Sequence, residues 1–389
     1  MPTSLSPNPV LFVPSPSRTF RNIRYGPYDM QRLNVYKNPV QRTGGNPVLV
    51  FNHGGAWTGL DKTSTIEGDR VLRWLFAYLL DSTNYGTDSL PFDIVSVEQR
   101  IQGHKLTAAT ISIGGSNTNT PYEPIIEGTN PGYGPGTGTI SGPWYAHTMV
   151  DDVQNAYQWV KDNADRFDFD PERIVGAGFS AGSWATMVAA FSPTRQYTSR
   201  EHGRSRWDRF SDSKIRGCLN YSGEIDIDPW FQAITVTNFM FGCLESNLTN
   251  VRADMEKLLL LPAADGTFPS GSDPSPLLRQ LSPKYRIQAD LAENRAIKIR
   301  SYYPTFEDTT LYTGELGPLA VYGNAVPPYN AGGHDYHQFD ILAGWCADVG
   351  IDHSGAVFDL NDYTGGSIQL AYEAQLASTY TWLQSIAGF

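Results

Sequence analysis

Gly178-Phe179-Ser180-Ala181-Gly182 decides the architecture, together with Arg173-Ile174-Val175-Gly176-Ala177 before it and Trp184-Ala185-Thr186-Met187-Val188-Ala189-Ala190 after it. Ile174 to Ala177 are β-branched or small and suit a buried strand, whereas Trp184 to Ala190 have helical composition. The G-x-S-x-G pattern therefore falls on a strand-to-helix turn. Alone the pentapeptide carries little weight, because chance produces it; its context makes it a signal. A serine on such a turn needs small neighbours, since strand and helix backbones approach closely, and its Oγ is lifted clear of the sheet edge. The next amide, on Ala181, then points to where negative charge would develop, at the positive end of the new helix.

A chain of 389 residues can bury most of its unfolded surface without staples. One α/β domain with insertions, spanning 1–389, is the expected organisation. Lys and Arg total 29 against 40 Asp and Glu, a net charge of −11, and no basic cluster stands out. Nucleic acid and anionic membrane surfaces are thus poor partners. Cys218, Cys243 and Cys346 are widely spaced and odd in number, which argues against a disulfide framework or zinc site and for buried thiols. Met1 to Pro7 has neither a charged region nor an apolar core, and no run approaches the roughly eighteen apolar residues of a membrane span. The expectation is a soluble, cytoplasmic protein without an export signal, its oligomeric state left open.

Along the chain, Pro7 to Ser17 reads as a proline-rich surface arm, and Tyr25 to Tyr36 as a turn entering an edge hairpin. Asn46-Pro47-Val48-Leu49-Val50-Phe51 is a continuous apolar run between turn signals, a buried central strand ending in Asn52-His53-Gly54-Gly55-Ala56-Trp57. Leu72–Leu80 reads as a helix and Phe92–Glu98 as a strand, so the elements alternate as in α/β proteins. Residues 103–142, rich in Gly, Thr, Asn and Pro, break the rhythm. Tyr122, Tyr133, Trp144 and Tyr145 could anchor that loop over a pocket. Val150 to Asn163 follows as an amphipathic helix. Ile215–Gly223 is the next strand, and residues 229–290 form a second insertion, either a cap or a packing excursion.

Asp152, Ala156, Trp159-Val160, Asp170-Pro171-Glu172-Arg173-Ile174 and Gly178 to Gly182, preceded by His53-Gly54-Gly55-Ala56-Trp57, resemble the carboxylesterase and hormone-sensitive-lipase-like branches of the α/β-hydrolase superfamily. The resemblance covers roughly residues 25 to 225. It implies an α/β-hydrolase fold, a mostly parallel central sheet flanked by helices with lid or cap insertions, and a Ser/His/acid triad for ester hydrolysis. It makes Ser180 the nucleophile and gives the oxyanion amides to Gly54, Gly55, Ala56 and Ala181. His53 shapes the loop in this motif rather than acting as base.

The second half follows the pattern loosely. Ala296–Tyr303 is the strand after which the family places its acid, which makes Asp308 the first choice and Glu307 its rival. Glu224 is a more distant candidate if the acid lies one strand earlier. Tyr336–Val349 reads as a helix, Gly355–Leu360 as a last strand and Ala371–Ile386 as a closing helix, but no histidine occurs after His353. Two arrangements remain open. In one, Leu319–Tyr322 is the last family strand and Gly332-Gly333-His334 the histidine loop; in the other, the later strand is the true one and His334 reaches the site from a long loop. His334 is preferred as the base, His337 is the alternative, and His353 enters its strand from the opposite edge.

The reading is a serine carboxylic-ester hydrolase acting on small or short-chain esters, with no metal and no organic cofactor. A protein that keeps the fold with a degenerate triad, serving a binding or structural role, is the alternative, and a serine peptidase a weaker one.

Overall fold

The computed structural model describes residues 18–26, 31–54, 73–80, 91–99, 146–192, 215–225, 281–289, 296–305, 337–359 and 374–388. Among these residues the strands are β1 (Thr19–Arg24), β2 (Arg32–Tyr36), β3 (Asn46–Asn52), β4 (Asp93–Glu98), β5 (Phe169–Phe179), β6 (Gly217–Tyr221), β7 (Lys298–Thr305) and β8 (His353–Asp359). The helices are α1 (Arg73–Leu80), α2 (Ala146–Asp162), α3 (Ala164–Phe167), α4 (Ala181–Phe191), α5 (Pro283–Ala289), α6 (His337–Val349) and α7 (Leu376–Ile386).

The strands form one sheet in the order β1-β2-β4-β3-β5-β6-β7-β8. β2 is antiparallel to both neighbours, and β4 through β8 run parallel. Parallel strands need crossovers and are buried on both faces, which explains the unbroken apolar run at Val48 to Phe51. Val48 and Val50 pack into one apolar layer with residues of α2 and α4, while Leu49 and Phe51 join α1 and α7 on the other face. Phe51 meets Phe76 of α1 edge to face, ring centroids 4.9 Å apart. Each buried ring of this kind removes enough apolar surface for roughly 2–3 kcal/mol.

Of the two strands considered as the last of the sheet, the later one stands beside β7. β6 pairs with one edge of β7 and His353–Asp359 with the other, whereas Leu319–Tyr322 lies outside the described residues. His353 opens β8 and is half-buried against Phe339, with burial lowering its basicity to a pKa of about 4. Several elements are longer than their composition suggests. β5 begins at Phe169 because Asn46 pairs with Phe169 across a register shift, and α2 starts at Ala146. The arm at 7–17, the 103–142 insertion, Cys243 and most of 229–290 lie outside the described residues. The end of the second insertion, α5, packs between α4 and α6 as part of the body. Cys218 and Cys346 are buried free thiols. Among the described residues no helix is long and apolar enough to cross a membrane.

At the end of the sheet remote from Ser180, β4 begins at the fully buried Asp93. Its carboxylate accepts from Lys37 Nζ, from the Asn38 backbone N–H at 2.7 Å and from Asn46 Nδ2 at 3.3 Å. Lys37 also donates to the Phe167 carbonyl, so one buried charge ties β2, β4 and the turn before β5 together. Removing one partner of a buried pair strands the other. Asp93→Ala is therefore expected to lose about 3 kcal/mol in urea unfolding. The Lys37→Ala, Asp93→Ala double variant is expected to lose less than the sum of the single changes, which a double-mutant cycle checks.

Candidate active site

Ser180 links β5 to α4 with φ 54° and ψ −130°, a left-handed backbone that a non-glycine residue adopts only when its surroundings impose it. The imposing contact is between backbones. A methyl group at Gly182 would stand 2.2 Å from the Asn52 carbonyl oxygen and 2.3 Å from that of His53, so α4 lies directly against the end of β3. Gly178 is pressed against Gly182 in the same way, at 2.4 Å. Both glycines of the pentapeptide are thus required by close approach. Hydrogen bonds hold the turn: the Ser180 N–H donates to the Tyr221 carbonyl at 2.9 Å, and the Ser180 carbonyl accepts from Ser183 and Trp184 at 2.8 and 3.0 Å. Helix geometry leaves the amides of Ala181 and Gly182 without an intrahelical partner, at the positive end of the helix dipole.

The end of β3 supplies the facing wall. A methyl group at Gly54 would lie 3.2 Å from Ser180 Cβ and 2.8 Å from the Phe179 carbonyl oxygen, so bare backbone adjoins the serine there. His53 is fully buried, and its Nδ1–H donates to the Gly54 carbonyl at 2.8 Å, which fixes the orientation of that peptide. The Gln99 side chain donates to the His53 carbonyl at 3.3 Å. His53 therefore braces the loop. Gly55 and Ala56 lie outside the described residues.

Behind the serine, Ser183 Oγ donates to Asn220 Oδ1 at 2.5 Å and accepts from the Tyr221 N–H at 3.0 Å. Asn220 Nδ2 donates to Tyr303 Oη at 2.8 Å and to Ser301 Oγ at 3.2 Å, and Tyr303 donates to the Gly223 carbonyl. α4, β6 and β7 are thereby joined at their site-facing ends. This polar core escaped the sequence reading, although Asn220 within an otherwise apolar strand was a usable signal.

The loop after β6 carries Glu224, only 3% exposed, whose Oε2 meets no hydrogen-bond partner. Burial pushes its carboxyl up to about 8, against the opposing effect of its own backbone N–H. Next to it, the Ile225 N–H donates to the side-chain oxygen of Gln338, in the first turn of α6, at 2.9 Å. The start of α6, and with it the backbone of His337, is therefore held at the same edge of the sheet as Ser180. Asp308, Glu307 and His334 lie outside the described residues, as does the side chain of His337. Among the described residues no group of His, Cys, Asp and Glu side chains could hold a metal ion.

Residues 141–257, which include α2, β5, Ser180, α4 and β6, match the family model BD-FAE, of an α/β-hydrolase-type family. No curated protein matches the chain. Among solved structures it is similar to esterase B from Lactobacillus rhamnosis, with a TM-score of 0.54 at 12% identity over 95% of this chain and 87% of that one. The apo form of Thermogutta terrifontis esterase 2 gives 0.50 at 13% identity, covering 98% of both chains. A truncated carbohydrate esterase from gut microbiota gives 0.51 at 14% identity over 96% of this chain and 99% of that one. At such identities the likeness is one of fold, and the chain has the α/β-hydrolase fold.

The close contact at Gly182 has a measurable consequence. Gly182→Ala is expected to cost about 1–3 kcal/mol through overpacking, lowering Tm in calorimetry, and to shift the elbow against β3. Gly344→Ala, on α6 with nothing within 4 Å of the new methyl, is the control and is expected to be neutral or slightly stabilising.

Proposed function

We propose that this α/β-hydrolase fold serves a serine carboxylic-ester hydrolase acting on small or short-chain esters. The observation that carries the proposal is the strained backbone of Ser180, φ 54°, with the bare Gly54 backbone beside its Cβ and the α4 N-terminus behind it. A strained serine at the C-terminal edge of a parallel sheet is costly unless its position is used. The esterases similar in fold support the same chemistry, and one of them, from Lactobacillus rhamnosis, is described with a tributyrin phosphonate inhibitor.

In this reading Ser180 Oγ attacks the ester carbonyl carbon while a histidine accepts its proton. Ala181 and the Gly54, Gly55 and Ala56 segment donate to the oxyanion of the tetrahedral intermediate. Collapse expels the alcohol, which takes the proton back from the imidazolium and leaves an acyl-enzyme. Water then attacks the acyl carbonyl by the same route and frees Ser180. His334, from the segment entering α6, is the first choice as base, with His337 at the start of that helix as the alternative. A carboxylate orients the imidazole and stabilises its cation. Its candidates are Asp308 and Glu307 beyond β7, and Glu224 beyond β6.

The wild type is expected to hydrolyse a short-chain p-nitrophenyl ester and to react with a fluorophosphonate. Ser180→Ala is expected to abolish labelling and reduce kcat by on the order of 10⁴–10⁶. Whichever of His334→Ala and His337→Ala reproduces that loss in a folded protein identifies the base. A folded wild type no faster than Ser180→Ala, and unlabelled, would remove the esterase reading in favour of a fold kept for binding.

A further inference from the structure

We propose that Glu224, at the end of β6, is the carboxyl group that positions the proton-relaying histidine, in place of a carboxylate beyond β7. The inference rests on the serine-hydrolase reading and adds the third member of its relay. Three independent features of the fold support it.

The first is level along the sheet. Phe179 pairs with Tyr221, and Tyr221 with Tyr302, so Ser180 leaves β5 level with Ser222 and Tyr303. The loop carrying Glu224 turns immediately above that level. β7, by contrast, continues as strand to Thr305, paired with Asp359 of β8. At about 3.3 Å per residue, β7 therefore ends roughly 7 Å beyond the level of the elbow.

The second feature is fixation. The Gly223 N–H donates to Asn220 Oδ1 at 2.9 Å and its carbonyl accepts from Tyr303 Oη. On the other side, the Ile225 N–H donates to Gln338 and the Ile225 carbonyl accepts from the Lys284 N–H at 3.2 Å. Glu224 is therefore held on both flanks, and one tether runs to the helix whose first residue is His337. His334 lies four residues before Gln338. A carboxyl that must align an imidazole needs this kind of second support.

The third feature is chemical. A buried carboxyl oxygen without a donor is rare in native structures, because desolvation is uncompensated. The α4, β6 and β7 network beside it leaves Glu224 Oε2 without a donor. An imidazole N–H is the donor that would complete the site. During acyl transfer the imidazolium and the Glu224 carboxylate would stabilise each other in a water-poor setting.

The test compares Glu224→Gln, Glu224→Asp and the Glu307→Gln, Asp308→Asn double variant in ester hydrolysis, each checked for folding. The expected result is a loss of about 10²–10⁴ in kcat for Glu224→Gln with KM little changed, since the amide keeps the volume and removes the charge. Glu224→Asp, which keeps the charge on a shorter arm, should recover at least tenfold over Gln, and the double variant should stay within a few-fold of wild type. A merely structural Glu224 would show neither the split between kcat and KM nor rescue by Asp. The proposal is overturned by a folded Glu224→Gln of wild-type activity, by Asp no better than Gln, or by a thousandfold loss in the folded double variant. If Glu224→Gln does not fold, the double variant decides: activity within a few-fold of wild type supports the proposal, and a thousandfold loss overturns it. A wild type that takes up no fluorophosphonate overturns both readings, whereas a labelled wild type with an unaffected Glu224→Gln overturns this one alone.

Discussion

The contact between Gly182 and the last carbonyls of β3 is the constraint from which the rest of the site follows. With 2.2 Å between a would-be methyl carbon and the Asn52 oxygen, α4 cannot retreat from the sheet without separating from β3. That proximity compresses the turn at Ser180 into a left-handed backbone and sets the first amides of α4 over the end of β3. It also brings Gly54 against the serine. A backbone at φ 54° and ψ −130° costs on the order of 1–3 kcal/mol for a residue with a side chain. The surrounding hydrogen bonds from Ser180 to Tyr221, and from Ser183 and Trp184 to Ser180, offset that cost.

A second constraint acts at the opposite end of the sheet. Asp93 with Lys37, Asn38 and Asn46 is a buried polar knot that fixes where β2 ends and where β3 and β4 begin, and thereby the register of the three strands. The parallel pairings Val48↔Asp93 and Val48↔Ile174 start from that knot. Asn52 and Gly178 then finish side by side, where the elbow needs them.

Much of this was legible in the sequence because it rests on local chemistry. Val48 to Phe51 is apolar throughout since a parallel strand has no solvent face, and Gly178 and Gly182 announce a close approach that other residues would block. The last strand was harder. His353-Ser354-Gly355-Ala356-Val357-Phe358-Asp359 is an edge strand, mostly half-buried, and such a surface imposes neither continuous apolarity nor clean alternation. Gly355–Leu360 reads as a strand, but its pairing with β7 is what gives its place in the sheet. The candidate acid and base were least legible, because residue type alone does not single them out. Glu224 shows why: its weight comes from its level on the sheet and its two tethers, and neither leaves a mark in composition. The same is true of Asn220, whose polarity in the strand is visible but whose partners, Ser183 and Tyr303, come from two other elements.

The sheet order also divides the site between parts of unequal endurance. β5, bearing Ser180, lies inside the sheet between β3 and β6, whereas α6 packs over β7 and the edge strand β8. Interior strands open only with the whole domain, while edge elements open locally at a smaller free energy. A molecule that has lifted β8 and the start of α6 keeps the Ser180 turn and the core but has lost the helix end that Gln338 ties to Ile225. If the proposed relay is the one this chain uses, inactivation on warming would run ahead of denaturation and be reversible over that interval, the relay having come apart at its rim while the centre still holds.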